Sequence, residues 1–211
     1  MHIIQFLIDF IIHIDIHLGQ IINNYGTNTY SILGAIIFGE TGLVVTPFLP
    51  GDSLLFAAGA FSGLWHLNIY ILTMSLILCA ILGNSSNYLI GKFIGKKIIN
   101  KDSRFIKKQY IEKTGRFYEK YGGKAVIIGR FIPIIRTFVP FVAGIGYMNF
   151  KKFTVYNVIG ATLWVSLFTC SGYYFGNLDS VRHNFTLVIF AIIIISILPA
   201  LITFIKEKKK K

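Results

Sequence analysis

Along this chain, apolar stretches long enough to cross a bilayer alternate with apolar stretches broken by glycine, proline and charge. Residues 68–91, 153–176 and 185–205 are clean and predict transmembrane helices. The last includes 21 residues without a charge, Phe185–Ile205, and about 20 helical residues cross a hydrocarbon core. Two stretches are broken: residues 31–60, containing FGETGLVVTPFLPGDSLLFAAGA, and residues 125–148, AVIIGRFIPIIRTFVPFVAGIGYM. Irregular backbone at membrane depth is tolerated only where protein or a water-filled cavity satisfies its polar groups, so each predicts a re-entrant hairpin. Residues 1–22 differ again. Gln5, Asp9, His13, His17 and Gln20 recur every three or four positions on an Ile/Phe/Leu body, which predicts an amphipathic helix lying along the membrane interface.

The broken stretches and the spans after them repeat one another. A slide of 85 residues without gaps pairs Phe56 with Phe141, Ala58 with Ala143 and Gly59 with Gly144. In the spans it pairs Leu78 with Leu163, Leu82 with Leu167, Ser86 with Ser171, Tyr88 with Tyr173 and Gly91 with Gly176. A unit of one hairpin and one crossing leaves its successor upside down. The expected fold is therefore an all-α integral membrane protein: an inverted repeat of two re-entrant hairpins, each followed by a transmembrane helix, plus a C-terminal transmembrane helix. At 211 residues it forms one polytopic domain.

Charge fixes the expected orientation. Of 21 Lys and Arg, 11 fall in Lys92–Lys124 and five in Lys206–Lys211. Both blocks flank apolar spans, so the positive-inside rule puts residues 92–124, read as surface helices, and the basic tail 206–211 in the cytoplasm. An even number of crossings must separate them. Spans 153–176 and 185–205 supply two, so residues 125–148 enter and leave on the cytoplasmic side. The formal charge of +12 is thereby explained without nucleic acid, for which there is no binding motif, and it attracts anionic lipid headgroups. With 54% hydrophobic residues, 14% charged ones and a mean hydropathy of +0.64, the chain is too apolar for an ordinary soluble fold.

Little suggests metal or redox chemistry. Cys79 and Cys170 stand alone in apolar segments and are read as small core residues, with no disulfide framework. Asp9, His13 and His17 have helical metal-ligand spacing but are read as one wet polar face, so no metal or cofactor is expected. The N-terminus has neither the basic region nor the small-residue cleavage site of a removable signal peptide.

The informative residues are Glu40, Asp52, Arg130 and Arg136, charges inside the broken stretches. A charge at the bilayer centre costs roughly 2.5–3.5 kcal/mol on insertion scales, so these four are expected to face one another, water or a ligand. Two acids from one hairpin and two bases from the other sum to zero, which suggests a shared pocket. Two readings stay open on the residues alone. Buried salt bridges would lock the hairpins together, at little net gain in stability. Alternatively, the arginine forks would bind phosphate oxygens, hairpin helix N-termini would add donors, and the acids would exchange protons as an anion comes and goes. Pro47, Pro50, Pro133 and Pro140 are expected to end helices. Gly51, Gly59, Gly144 and Gly146 are expected to permit tight turns and close helix contact. Asn84, Ser85, Ser86 and Asn87 give span 68–91 a polar face, suited to lining a pocket or to bonding neighbouring helices.

FGETGLVVTPFLPGDSLLFAAGA and GRFIPIIRTFVPFVAGIGYM resemble the two signature segments of the DedA family of bacterial inner-membrane proteins, and YEKYGGK, YNVIGATLW and SGYYFG extend the similarity over nearly the whole chain. The resemblance implies two opposed re-entrant hairpins, a relation to VTT-domain lipid scramblases, and an inner-membrane location, in which the charge rule already makes the C-terminus cytoplasmic. It also implies return of undecaprenyl phosphate across the inner membrane and envelope homeostasis that depends on the proton motive force. The family's essential acids match Glu40 and Asp52, and its essential arginines match Arg130 and Arg136. The expected function is proton-coupled transport or flipping of a phosphate-bearing lipid, a phospholipid or polyprenyl phosphate. The alternative is a small-ion/proton antiporter using the same acids. An enzyme is not expected, since no histidine falls inside the broken stretches to serve a phosphatase. The oligomeric state stays open, a homo-oligomer included.

Overall fold

A computed structural model describes residues 14–43, 51–63, 67–100 and 108–176, with single positions between 178 and 194. All its elements are helical. The chain runs through α1 (Ile14–Tyr25), α2 (Thr29–Gly42), α3 (Gly51–Ser62), α4 (Ile69–Asn100), α5 (Lys108–Tyr121), α6 (Ala125–Gly129), α7 (Pro133–Val142) and α8 (Phe150–Phe175). Within α4 and α8, Ile69–Ile94 and Phe150–Phe175 are each 26 residues of apolar helix. At about 1.5 Å per residue each exceeds the roughly 30 Å of a hydrocarbon core. Leu78, Leu82, Leu163 and Leu167 stay exposed along them, as a lipid-facing surface requires.

The other helices hang on this pair. α2 packs on α4 and α3 packs on α8, while α6 packs on α8 and α7 packs on α4. The two arms of each broken stretch thus rest on different spans. Small residues permit the approach. A Cβ on Gly59 of α3 would strike the Thr169 carbonyl of α8, and one on Gly172 would strike the Phe56 carbonyl of α3. On the other side, a Cβ on Gly144 would strike the Tyr88 carbonyl of α4, and one on Gly91 would strike the Phe141 carbonyl of α7. With no hydrophobic force between helices in lipid, backbone contact of this kind is what holds them.

Several sequence expectations are adjusted. The span expected at 68–91 is the start of a longer helix reaching Asn100, so nine residues of the basic segment continue it. The expected interfacial helix, where described, turns Leu18 (0% exposed) and Ile22 (5%) into the protein core, because α1 packs on α3. Pro133 opens α7 instead of ending a helix, at a position where its missing N–H is not needed. Pro140 lies inside α7, which gives way only at the π-helical turn Ala143–Tyr147, where Gly146 adopts φ 144°. Gly144 supplies the close contact with α4 rather than the turn. Cys170 is exposed on α8, not a core residue, while Cys79 is half-buried. Pro47, Pro50, Asp9, His13, most of span 185–205 and the tail 206–211 lie outside the described residues. Among the described residues no group of three His, Cys, Asp or Glu gathers as for a metal.

Candidate functional site

Each broken stretch offers a charge from the end of its first helix and another from the start of its second. Glu40 lies in the last turn of α2, and Asp52 in the first turn of α3. Arg130 is the C-terminal cap of α6, and Arg136 lies in the first turn of α7. Asp52 gains from the α3 dipole, which favours an anion at a helix N-terminus. Gly51, just ahead of it, has no room for a Cβ because the Glu40 carboxylate occupies that space. The two arms therefore meet through a glycine and a carboxylate.

Arg136 joins the two stretches. Its Nη1 donates to Asp52 Oδ1 at 2.8 Å and its Nη2 donates to Glu40 Oε1. Trp164 Nε1 of α8 donates to the same Asp52 oxygen at 2.8 Å. Glu40 and Asp52 are 3% and 7% exposed, so these pairs are largely desolvated and the two acids share one guanidinium. Glu40 Oε2 lies against Gly51, whose backbone hydrogen-bonds to the carboxylate.

Arg130 does something different. It is 4% exposed, yet among the described residues no carboxylate reaches ion-pair distance of it. Its Nη2 donates to Asn157 Oδ1 at 2.7 Å and to the Ala80 carbonyl at 3.4 Å, and its buried Nε has no partner among the described residues. Asn157 is itself fixed: it accepts from Asn84 Nδ2 at 3.1 Å and donates to the Ile81 carbonyl at 3.0 Å. The Trp164 ring lies against both guanidiniums, 5.7 Å from Arg130 Cζ and 5.5 Å from Arg136 Cζ, within cation–π range. Glu40, Thr41, Asn84, Arg130, Arg136, Thr137 and Trp164 line a cavity with room for about one water molecule.

A second polar link ties the stretches together. Asn87 of α4 is fully buried and donates through Nδ2 to the Thr41 carbonyl at 3.1 Å and the Thr137 carbonyl at 3.0 Å. One amide thus holds the residue after Glu40 and the residue after Arg136. Asn84 both lines the cavity and bonds α8, whereas Ser85 and Ser86 bond back to carbonyls of their own helix. Behind α7, Tyr118 of α5 donates to the Val139 carbonyl at 3.1 Å, and burial pushes its hydroxyl up, so it remains a donor. Sequence reasoning singled out the four charges and the Asn84–Asn87 face but missed Asn157 and Trp164. The signal was present in both: an amide alone in an apolar span, and a tryptophan at mid-span instead of at an interface.

Comparison with known proteins gives the following. Residues 49–174, which include three of the four charges, match the VTT domain. The chain is 51% identical to Protein DedA of Escherichia coli strain K12 over 212 aligned residues, covering 99% of this chain and 97% of that protein. It is 43% identical to an uncharacterized membrane protein, Rv0364, of Mycobacterium tuberculosis, over 80% of this chain and 75% of that one. It is 31% identical to the inner membrane protein YqjA of Escherichia coli strain K12, over 70% and 67%. No solved structure matches.

Proposed function

The chain belongs to the DedA family of VTT-domain membrane proteins, and on that footing we propose that it carries a phosphate-bearing lipid, of the undecaprenyl phosphate kind, across the bacterial inner membrane in exchange with protons. The observation that carries this reading is Arg136 of one broken stretch held between Glu40 and Asp52 of the other, beside the buried Arg130. A guanidinium fork held by two carboxylates is a phosphate binder in a latched state. Protonating either acid removes half of the latch and frees the fork for phosphate oxygens. Releasing the anion returns the fork to the acids, which give up their protons. The protein acts as a carrier and not as an enzyme, since no bond of the lipid need change.

The architecture that goes with this function is the inverted repeat of re-entrant hairpins, and two features support it. α1 and α5 each end in a Tyr-Gly pair, Tyr25–Gly26 and Tyr121–Gly122, with positive φ at the glycine (51° and 55°) and a short 3₁₀ turn after it. The paired contacts Gly59/Gly172 and Gly144/Gly91 then exchange second arms between the two spans. In such a repeat α5 and the C-terminus are cytoplasmic and α1 lies on the opposite side.

Cavity size favours a second reading. Space for about one water suits a small ion better than a phosphate in this state, as in a cation/proton antiporter. Vesicles separate the two. Purified protein in liposomes is given a pH gradient, and the appearance of a fluorescent polyprenyl phosphate in the outer leaflet is followed alongside internal cation content. Lipid reorientation without cation movement, lost in Arg136→Gln, supports the carrier. Cation movement without lipid reorientation sinks it.

A further inference from the structure

The two arginines are held in opposite ways, and that difference divides their work. Arg136 is fully engaged with two carboxylates, so its charge is neutralised where it sits. Arg130 is more deeply buried, but its best contact is the neutral Asn157 oxygen at 2.7 Å, and among the described residues its Nε–H has no acceptor. A buried cation without a counter-ion is costly unless something else gains from it. Asn157 is well made for holding such a cation. Its oxygen faces Arg130 and Asn84, while its nitrogen is tied to the Ile81 carbonyl, so the amide has one stable orientation.

Resting on the anion-carrier reading above, we propose that Arg130 is the residue that first receives the anionic headgroup, and that Asn157 is its positioning residue, fixing the guanidinium without pairing it directly to a carboxylate. Arg136 is the latch that releases the acids afterwards. The anion's oxygen takes the free Arg130 Nε–H, and the Trp164 ring beside both guanidiniums senses its arrival.

The test uses full-length protein in detergent micelles. The chain has two tryptophans, so Trp65→Phe leaves Trp164 as the sole indole. Farnesyl phosphate, an isoprenyl monophosphate, is titrated against Trp164 emission, with farnesol as the uncharged control, and thermal stability is measured on the same samples. The parent is expected to respond saturably to the phosphate and not to the alcohol. Asn157→Asp is isosteric and gives Arg130 a counter-ion, so affinity falls at least about tenfold, the loss of one charge-assisted contact. Asn157→Ser keeps a neutral acceptor and loses no more than about threefold. If Asp and Ser variants bind alike, Asn157 is a structural residue and this inference falls while the carrier reading stands. If the parent itself does not bind, both fall. A second comparison serves if Asn157→Asp does not fold. Arg130→Lys is expected to lose phosphate affinity at unchanged stability. Arg136→Lys, which breaks the fork's hold on both carboxylates, is expected to lose stability and to lose less phosphate affinity than Arg130→Lys. Equal losses of affinity in the two overturn the division of labour.

Discussion

Removing Arg136 exposes the energetics of the latch most directly. In Arg136→Gln, Glu40 and Asp52 remain 3% and 7% exposed, facing each other across a site that has lost its shared cation. Breaking one buried pair by deleting a partner costs about 3–5 kcal/mol, and here one deletion breaks two, so the upper end of that range is expected. The cost is electrostatic and should therefore be reversible in kind. Adding Glu40→Gln removes one stranded carboxylate, and the double variant should recover about 1–3 kcal/mol relative to the sum of the single changes. Arg130→Gln gives the contrast. It removes a single charge-assisted hydrogen bond at 2.7 Å, worth about 1.5–3 kcal/mol, but also removes a buried cation that makes no direct ion pair with a described carboxylate. A net loss of no more than about 2 kcal/mol follows. The assay is equilibrium unfolding in mixed detergent micelles, with helix content followed by circular dichroism. Additive losses in the Glu40/Arg136 cycle, or an Arg130 variant weaker than the Arg136 variant, would show that the salt bridges are not what holds the two stretches together.

Three further outcomes are expected. Gly91→Ala and Gly172→Ala should each lose about 1–3 kcal/mol in the same unfolding assay, because the new Cβ meets a Phe carbonyl in both, whereas Gly39→Ala, with open space beside it, should be neutral or gain up to about 1 kcal/mol. Asn87→Ala should cost about 2–3 kcal/mol, having stripped the donor from two buried carbonyls, and should raise hydrogen exchange at both α2 and α7. Trp164→Phe keeps a ring beside the arginines but loses the 2.8 Å bond to Asp52, so in vesicles lipid transport should slow more than protein stability falls; equal effects would assign Trp164 to packing alone.

The meeting of Glu40 and Asp52 with Arg136 was legible in the sequence because charge inside apolar segments has few places to go. That Arg130 would find an amide instead of an acid was not legible. Opposite charges in equal number suggest two pairs, and only the packing of α6 on α8 brings Asn157 to Arg130 first. Proline misled in a different way. Four prolines in broken segments read as helix ends, but the backbone after Phe131 had already turned when Pro133 began α7. Pro140 is carried inside a short helix whose neighbouring carbonyls find side-chain donors in Asn87 and Tyr118. Those donors brace α7 just ahead of the proline, and they lie far away in sequence.

The internal repeat shows why an ungapped comparison saw only part of the plan. Tyr25–Gly26 and Tyr121–Gly122 stand 96 residues apart, and so do the buried faces before them, Leu18 and Ile22 against Thr114 and Tyr118. In the second arms the separation is 85, from Phe56 and Gly59 to Phe141 and Gly144. In the spans that receive those arms it is 81, from Tyr88 and Gly91 to Thr169 and Gly172. A slide of 85 therefore catches the arms, misses the amphipathic helices, and sets the spans one helical turn out of the register used for packing. In the repeat proposed above, the full unit is an amphipathic helix, a glycine turn, a first arm, a second arm and a span. Because the second arm of each unit docks on the span of the other, neither half can bury its own glycine face alone. Each crossing is therefore a contact between the two halves and not within one.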